Sequence, residues 1–149
     1  MNALKFAQRR DGSEAEQKFS AWATKRQIEH IPYGFRRPDY SEFPSLPSFI
    51  RHTPDFIAFW SGKHLLIETK GTGRDGIFKL KLADLLTAQE WAKFLPLWYF
   101  IWNSSTQTIA IESCEEITEL CVRAPQRRFA EGTPYYAIEQ SQLKWSPYE

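Results

Sequence analysis

Asp55 heads one apolar run, Glu68-Thr69-Lys70 closes a second, and Ser61-Gly62 separates the two. Two carboxylates and an ammonium gathered on one face can hold a hard divalent cation and polarise a water molecule beside it. Whether the three meet depends on register. With Ser61-Gly62 as a two-residue loop, Trp60 faces Lys63, Phe59 faces His64, Ala58 faces Leu65, Ile57 faces Leu66, Phe56 faces Ile67 and Asp55 faces Glu68. Directly opposed residues have Cβ atoms about 4.5–5.5 Å apart, and at that separation bare carboxylates repel unless a cation or proton intervenes. Lys70, two residues beyond Glu68, returns to the same face. A four-residue loop keeps this pairing, whereas a three-residue loop sends Glu68 to the opposite face.

The rest of both runs, 56–60 and 65–67, is apolar at consecutive positions, the pattern of central strands covered on both faces. Charge at the end of such a strand is expensive: an unpaired buried carboxylate costs several kcal/mol or neutralises itself. Two acids and a lysine there call for a ligand, and hard oxygen donors favour Mg²⁺ or Mn²⁺. The plainer alternative is a solvated strand end carrying Glu68 and Lys70, with Asp55 opening a turn after Pro54.

The elements that must position these residues follow from periodicity and caps. Ser13 and Glu16 form a capping-box pattern that predicts a helix from Ser13 to about Arg26, with Ala15, Phe19, Trp22 and Ala23 as its buried stripe and Glu16 at the stripe's edge. Ile28 to Phe35 reads as a short strand. Residues 36–52 lack periodicity and read as a long loop, in which Arg36, Arg37 and Arg51 alternate with Tyr40, Phe43 and Phe49, suited either to gripping phosphates and stacking on bases or to pinning a surface loop. Gly71 to Gly76, including Arg74, reads as a flexible turn beside the acids. Phe78, Leu82, Leu85 and Leu86 mark an amphipathic helix that also carries Lys79 and Lys81, and the Thr87-Ala88-Gln89-Glu90 cap pattern divides it from a second helix. Leu97 to Trp102 is a buried strand and Gln107 to Glu112 a weaker one. Ser113 and Glu116 open a helix to about Val122, and Tyr135 to Ile138 is an edge strand. Helices mixed with strands in this order predict an α/β fold, a mixed central β-sheet flanked by helices.

The chain of 149 residues, 42% hydrophobic and 15% aromatic, suits one domain, with a core from about residue 13 to 122 and a C-terminal extension of residues 123–149. No apolar run is long enough for a membrane span and none follows Lys5, Arg9 and Arg10 as a signal peptide would, so a cytoplasmic protein is expected. Cys114 and Cys121 stand about 10.5 Å apart along one helix, too far for a disulfide, and no zinc-like spacing links them to His30, His52 or His64. A net charge of +1 is not that of a strongly basic nucleic-acid binder. The charge is unevenly spread: residues 1–51 carry nine Lys/Arg against six Asp/Glu, and residues 103–149 four against seven.

Thr53-Pro54-Asp55-Phe56 followed by Ile67-Glu68-Thr69-Lys70-Gly71, with Glu16 on a preceding helix, resembles the PD-(D/E)XK nuclease superfamily. With Lys79-Leu80-Lys81-Leu82 and the strand from Leu97, the pattern over residues 13–102 is most similar to small phage endonuclease I and Holliday-junction-resolvase-type enzymes. The resemblance implies a restriction-endonuclease-like core and Mg²⁺-dependent hydrolysis of DNA phosphodiesters to 5′-phosphate and 3′-hydroxyl ends. It further implies selectivity for branched or junction DNA, a homodimer, and, for a phage-encoded protein, a place in the host cytoplasm. No small-molecule cofactor is implied. It assigns Asp55 and Glu68 as metal ligands with the Thr69 carbonyl as a third, Lys70 to orient or deprotonate the attacking water, and Glu16 to assist the metal or a second one. Glu14 substitutes for Glu16 if the helix is rotated, and Gln89 is a possible DNA contact. Arg36, Arg37, Arg51, Arg74, Lys79 and Lys81 are the nucleic-acid-binding candidates. Two other classes remain open: a catalytically inactive nuclease-fold module for DNA binding or packaging, and a protein-binding module using the aromatics of residues 36–52.

Overall fold

The computed structural model describes residues 3–34 and 47–149, with side chains from Glu14 onward except that of Ser48. A mixed sheet divides the molecule into layers. Its order is β1 (Glu29–Pro32), β2 (Phe56–Trp60), β3 (Lys63–Thr72), β5 (Leu97–Asn103), β6 (Thr108–Ser113) and β9 (Trp145–Pro147). All neighbours are antiparallel except β3 and β5, and that parallel pair needs the long crossover supplied by β4 (Ile77–Lys81) and α3 (Leu82–Trp91).

The helix α1 (Ala3–Lys25) covers one face, burying Ala15, Phe19, Trp22 and Ala23 against Phe56, Ile67, Phe100 and Trp102. The opposite face carries Leu66, Tyr99, Ile101 and Ala110. It is covered by α3, by α4 (Cys114–Arg123) and by a second, three-stranded sheet in the order β4, β8 (Pro134–Glu139), β7 (Gln126–Arg128). A short helix α2 (Ser48–Arg51) and a 3₁₀ turn (Gln140–Gln142) complete the described elements. No helix among the described residues is long and apolar enough to cross a membrane.

The central hairpin has the register expected of a two-residue loop, from Trp60↔Lys63 through Phe56↔Ile67. Ser61 and Gly62 have φ of 52° and 77°, the left-handed pair of a type I′ turn whose twist matches that of the strands. The Ser113–Glu116 capping box is present, and Cys114 and Cys121 are free and buried in α4.

Several expectations fail for identifiable reasons. The first helix begins ten residues before Ser13, so Ser13 is an interior position of α1 and not its N-cap. The stretch from Ala3 to Arg10 is rich in good helix formers, and the single Gly12 costs only about 1 kcal/mol within a helix. The first strand is shorter than Ile28 to Phe35 and ends at Pro32, and the expected loop before His52 contains α2. Ile77 to Lys81 is a strand: Phe78 and Leu80 alternate inward while Lys79 and Lys81 point out, a period of two that pairing with β8 selects over the helical reading. The strand follows directly after a turn in which Asp75 accepts the Ile77 N–H at 3.2 Å. The division at Thr87 is absent. α3 continues through it, and the Thr87 hydroxyl donates back to the Ala83 carbonyl at 2.9 Å. Tyr135 to Ile138 belongs to the middle strand of the small sheet, not to an edge.

Candidate active site

Register brings Asp55, Glu68 and Lys70 to one strand end, where the β2–β3 ladder stops at Phe56. Beyond that point the Asp55 carboxylate takes over: its Oδ2 accepts the Thr69 backbone N–H and the Thr69 hydroxyl, each at 2.8 Å. The Asp55 backbone is fixed as well. Its carbonyl accepts from Tyr33 N–H at 2.8 Å and Gly34 N–H at 3.4 Å. Gly34 lies so close that a Cβ there would come within 2.9 Å of the Thr53 carbonyl oxygen and 3.0 Å of that of Pro54. This contact lets the chain leaving β1 clamp the residues that aim Asp55; in the sequence it is signalled only by a glycine after a strand.

Alternation along β3 puts Glu68 and Lys70 on the face opposite α1, beside Tyr99 and Ile101 of β5. Burial pushes the Glu68 carboxyl well above its ordinary range, and the Asp55 charge and a hydrogen bond to Asp55 push it the same way, against the pull of Lys70. Two acids therefore face each other at this strand end with burial, and not only their mutual charge, opposing ionisation of Glu68. Burial works against the charge on Lys70, but Glu68 and Asp84 outweigh it and hold the ammonium above its ordinary value.

Asp84 was not foreseen. It lies in the first turn of α3 and forms a half-buried ion pair with Lys70 at 3.0 Å. A carboxylate there is favoured by the helix N-terminus as well as by the ammonium. Only the strand β4 brings this turn back to Lys70, so spacing alone could not reveal it.

Glu16 and Glu14 are half-buried on α1, which packs on the other face of the sheet from Glu68 and Lys70. Arg51 is half-buried at the end of α2, and Phe49, read either as a stacking surface for bases or as a pin for the loop, lies flat on Trp91 with ring centroids 4.3 Å apart and so acts as a pin. Arg74, Lys79 and Lys81 are exposed, Lys79 pairing with Asp75 at 3.2 Å. Gln89 donates to the Thr118 hydroxyl at 3.2 Å and ties α3 to α4, which gives it a packing role. Arg36, Arg37, Tyr40 and Phe43 lie outside the described residues.

No family model and no curated protein matches the sequence. The Holliday junction resolvase Hjc of Archaeoglobus fulgidus is similar in structure, with a TM-score of 0.55 and 14% identity over 88% of this chain and 85% of Hjc. A nuclease from a fusselovirus gives a TM-score of 0.48 and 14% identity over 85% of this chain and 77% of the other. The likeness to Hjc is one of fold: the α/β architecture, with its mixed central sheet flanked by helices, is restriction-endonuclease-like.

Proposed function

We propose that the protein is a metal-dependent endodeoxyribonuclease acting on branched or junction DNA. The observation that carries this reading is the convergence of Asp55, Glu68 and Lys70 at one strand end, on the fold of a junction resolvase. Three carboxyl groups, those of Asp55, Glu68 and Asp84, share one ammonium, so the site has room for added positive charge.

The donor set suits Mg²⁺, with Mn²⁺ able to replace it. Among the described residues no three acidic, histidine or cysteine side chains gather as a complete cage. Mg²⁺ is commonly held by one or two carboxylates, with water and substrate phosphate completing its shell. Asp55 and Glu68 would be those carboxylates, with the Thr69 carbonyl as a third donor. When bound, the ion lowers the pKa of water and offsets charge on the scissile phosphate.

The protein's own groups have separate tasks. Thr69 and the Gly34 contact orient Asp55. Lys70, held charged by Glu68 and Asp84, is a poor base near neutral pH, so its role is to orient the attacking water and stabilise the phosphate's developing charge. This favours orientation over deprotonation for Lys70. Asp84 fixes the ammonium, and Glu16, on the other face of the sheet, has no step in this mechanism. The proposal includes a homodimer presenting two sites to one junction, as the symmetry of a four-way substrate invites.

The test is to incubate the wild type and Asp55→Ala with four-way, duplex and single-stranded DNA and with RNA, in Mg²⁺, Mn²⁺ or EDTA. Cleavage of branched DNA that needs metal and Asp55 is expected. Absence of cleavage by the wild type in every condition, or equal cleavage by Asp55→Ala, refutes the catalytic reading; DNA binding without cleavage would leave the inactive-module alternative.

A further inference from the structure

The small sheet has two unlike faces. Phe78, Leu80 and Ile138 enter the core. The outward face bears Lys79 and Lys81 of β4, Tyr135 of β8 and Arg127 of β7, and register sets Lys81, Tyr135 and Arg127 in one row across the three strands. All three cations are exposed. Phe129, half-buried just past β7, packs on Tyr135 with centroids 4.3 Å apart. The Lys79 and Lys81 amines lie 6.0 and 5.9 Å from its ring centre.

Of the acids around this face, Asp75 and Glu139 lie toward the Ile77 end, where Asp75 pairs with Lys79, and Glu131 is exposed in the turn between β7 and β8. Among the described residues no carboxylate pairs with Lys81 or Arg127. Their end of the sheet is also the end that leads to the candidate active site. Lys81 immediately precedes α3, whose Asp84 holds Lys70. Three residues span at most about 11 Å, so the row starts within about that distance of the Asp84 that holds Lys70.

We propose that this face is a second DNA-contact surface, built by the C-terminal strands, that follows the strand leaving the active site. Lys81 and Arg127, two strands apart, contact two phosphates of one strand, and Phe129 packs against a sugar or an unstacked base. Cations interleaved with an accessible ring are the combination that holds a nucleic-acid strand without reading its sequence. The proposal rests on the nuclease reading for its substrate, but its binding arm is measured without catalysis.

The experiment measures affinity for labelled four-way, duplex and single-stranded DNA in EDTA across a salt series. It compares the wild type, Lys81→Ala with Arg127→Ala, Phe129→Ala, and a charge-conserving Lys81→Arg with Arg127→Lys. The double alanine variant should lose about tenfold or more in affinity at low salt, with its log–log salt slope shallower by roughly 1.4–1.8, the value for two lost phosphate contacts. Phe129→Ala should weaken single-strand binding by roughly tenfold with little change in slope. The charge-conserving variant should bind like the wild type, and in cleavage assays the double alanine variant should show a raised KM with kcat retained. Affinity and slope unchanged in the double alanine variant, or no DNA binding by the wild type, overturns the proposal. Face-dependent binding by a wild type that never cleaves supports this surface while refuting the catalytic reading; cleavage with unaltered binding in the variants does the reverse.

Discussion

One row across the central sheet reads Glu68, Tyr99, Glu112, so two glutamates flank the same buried tyrosine on the same face. Burial is the largest influence on both, and it raises both. Their neighbours differ. Glu112 is 1% exposed, and its Oε1 accepts the Lys144 backbone N–H at 2.7 Å. Glu116 beside it pushes its carboxyl up further and itself bridges to the Lys144 ammonium at 2.9 Å. That cluster ties the segment before β9 to β6 and α4. Glu68 instead faces another acid, Asp55, while the lysine on its own strand turns to Asp84. A buried strand acid is therefore no mark of a site in itself. The mark is a pair of acids at a ladder's end whose neighbouring lysine is engaged by a third acid, Asp84, whereas Lys144 closes the pair formed by Glu112 and Glu116.

The sharpest way to break this comparison is to make the same isosteric change at both glutamates. Glu68→Gln keeps the shape and removes a proposed ligand, and cleavage should fall by about 10²–10³-fold or more, the usual loss when one preorganised transition-state contact goes. Glu112→Gln should leave kcat/KM within about twofold. Equal losses in the two variants would mean that Glu68 is structural too. A smaller effect is expected at Gly34, where the first Cβ would press on the Thr53 and Pro54 carbonyls. Gly34→Ala should shift Asp55 and lower kcat/KM by roughly 10- to 100-fold, as misplacements of an ångström or less do, while Tm falls by only a few degrees. Wild-type kcat/KM in a variant that has lost Tm would show that Gly34 supports the fold and not the aim of Asp55.

The same contrast explains what could be read in the sequence. The hairpin was legible because its two-residue turn, apolar strands and terminal acids are all local, and the type I′ loop fixes the register. Asp84 was not, because its meeting with Lys70 depends on β4, whose strand character comes from pairing with β8, 54 or more residues later in the chain. Phe78 with Leu82, Leu85 and Leu86 fits a helical stripe until that partner is known. The cluster around Glu112 was hidden for a similar reason: Lys144 reaches it only because the three-residue β9 joins the edge of the sheet. Strands of three residues, as in β7 and β9, are too short to carry a period of their own. The cap signature at Ser13 does not bound α1, because the residues before it are equally helical.

The mildest test concerns pH. Burial and the bond to Glu116 raise the Glu112 carboxyl to about 7 in the folded protein, against an ordinary value near 4.5. The folded state thus binds the proton more tightly than the unfolded chain between those values, and stability falls as pH rises through that window. Glu116 opposes this, because its own carboxyl is held low, first by Glu112 and then by Lys144. The opposing shifts leave a net loss at pH 8 that should lower Tm by no more than a few degrees. Glu112→Gln, whose amide can donate to Glu116 as the protonated acid does, should match the wild type near pH 5 and exceed it in Tm at pH 8. An unchanged Tm difference between pH 5 and 8 would show that Glu112 stays ionised in the folded state, held by Lys144 alone, and the two glutamates would then differ in protonation as well as in partners.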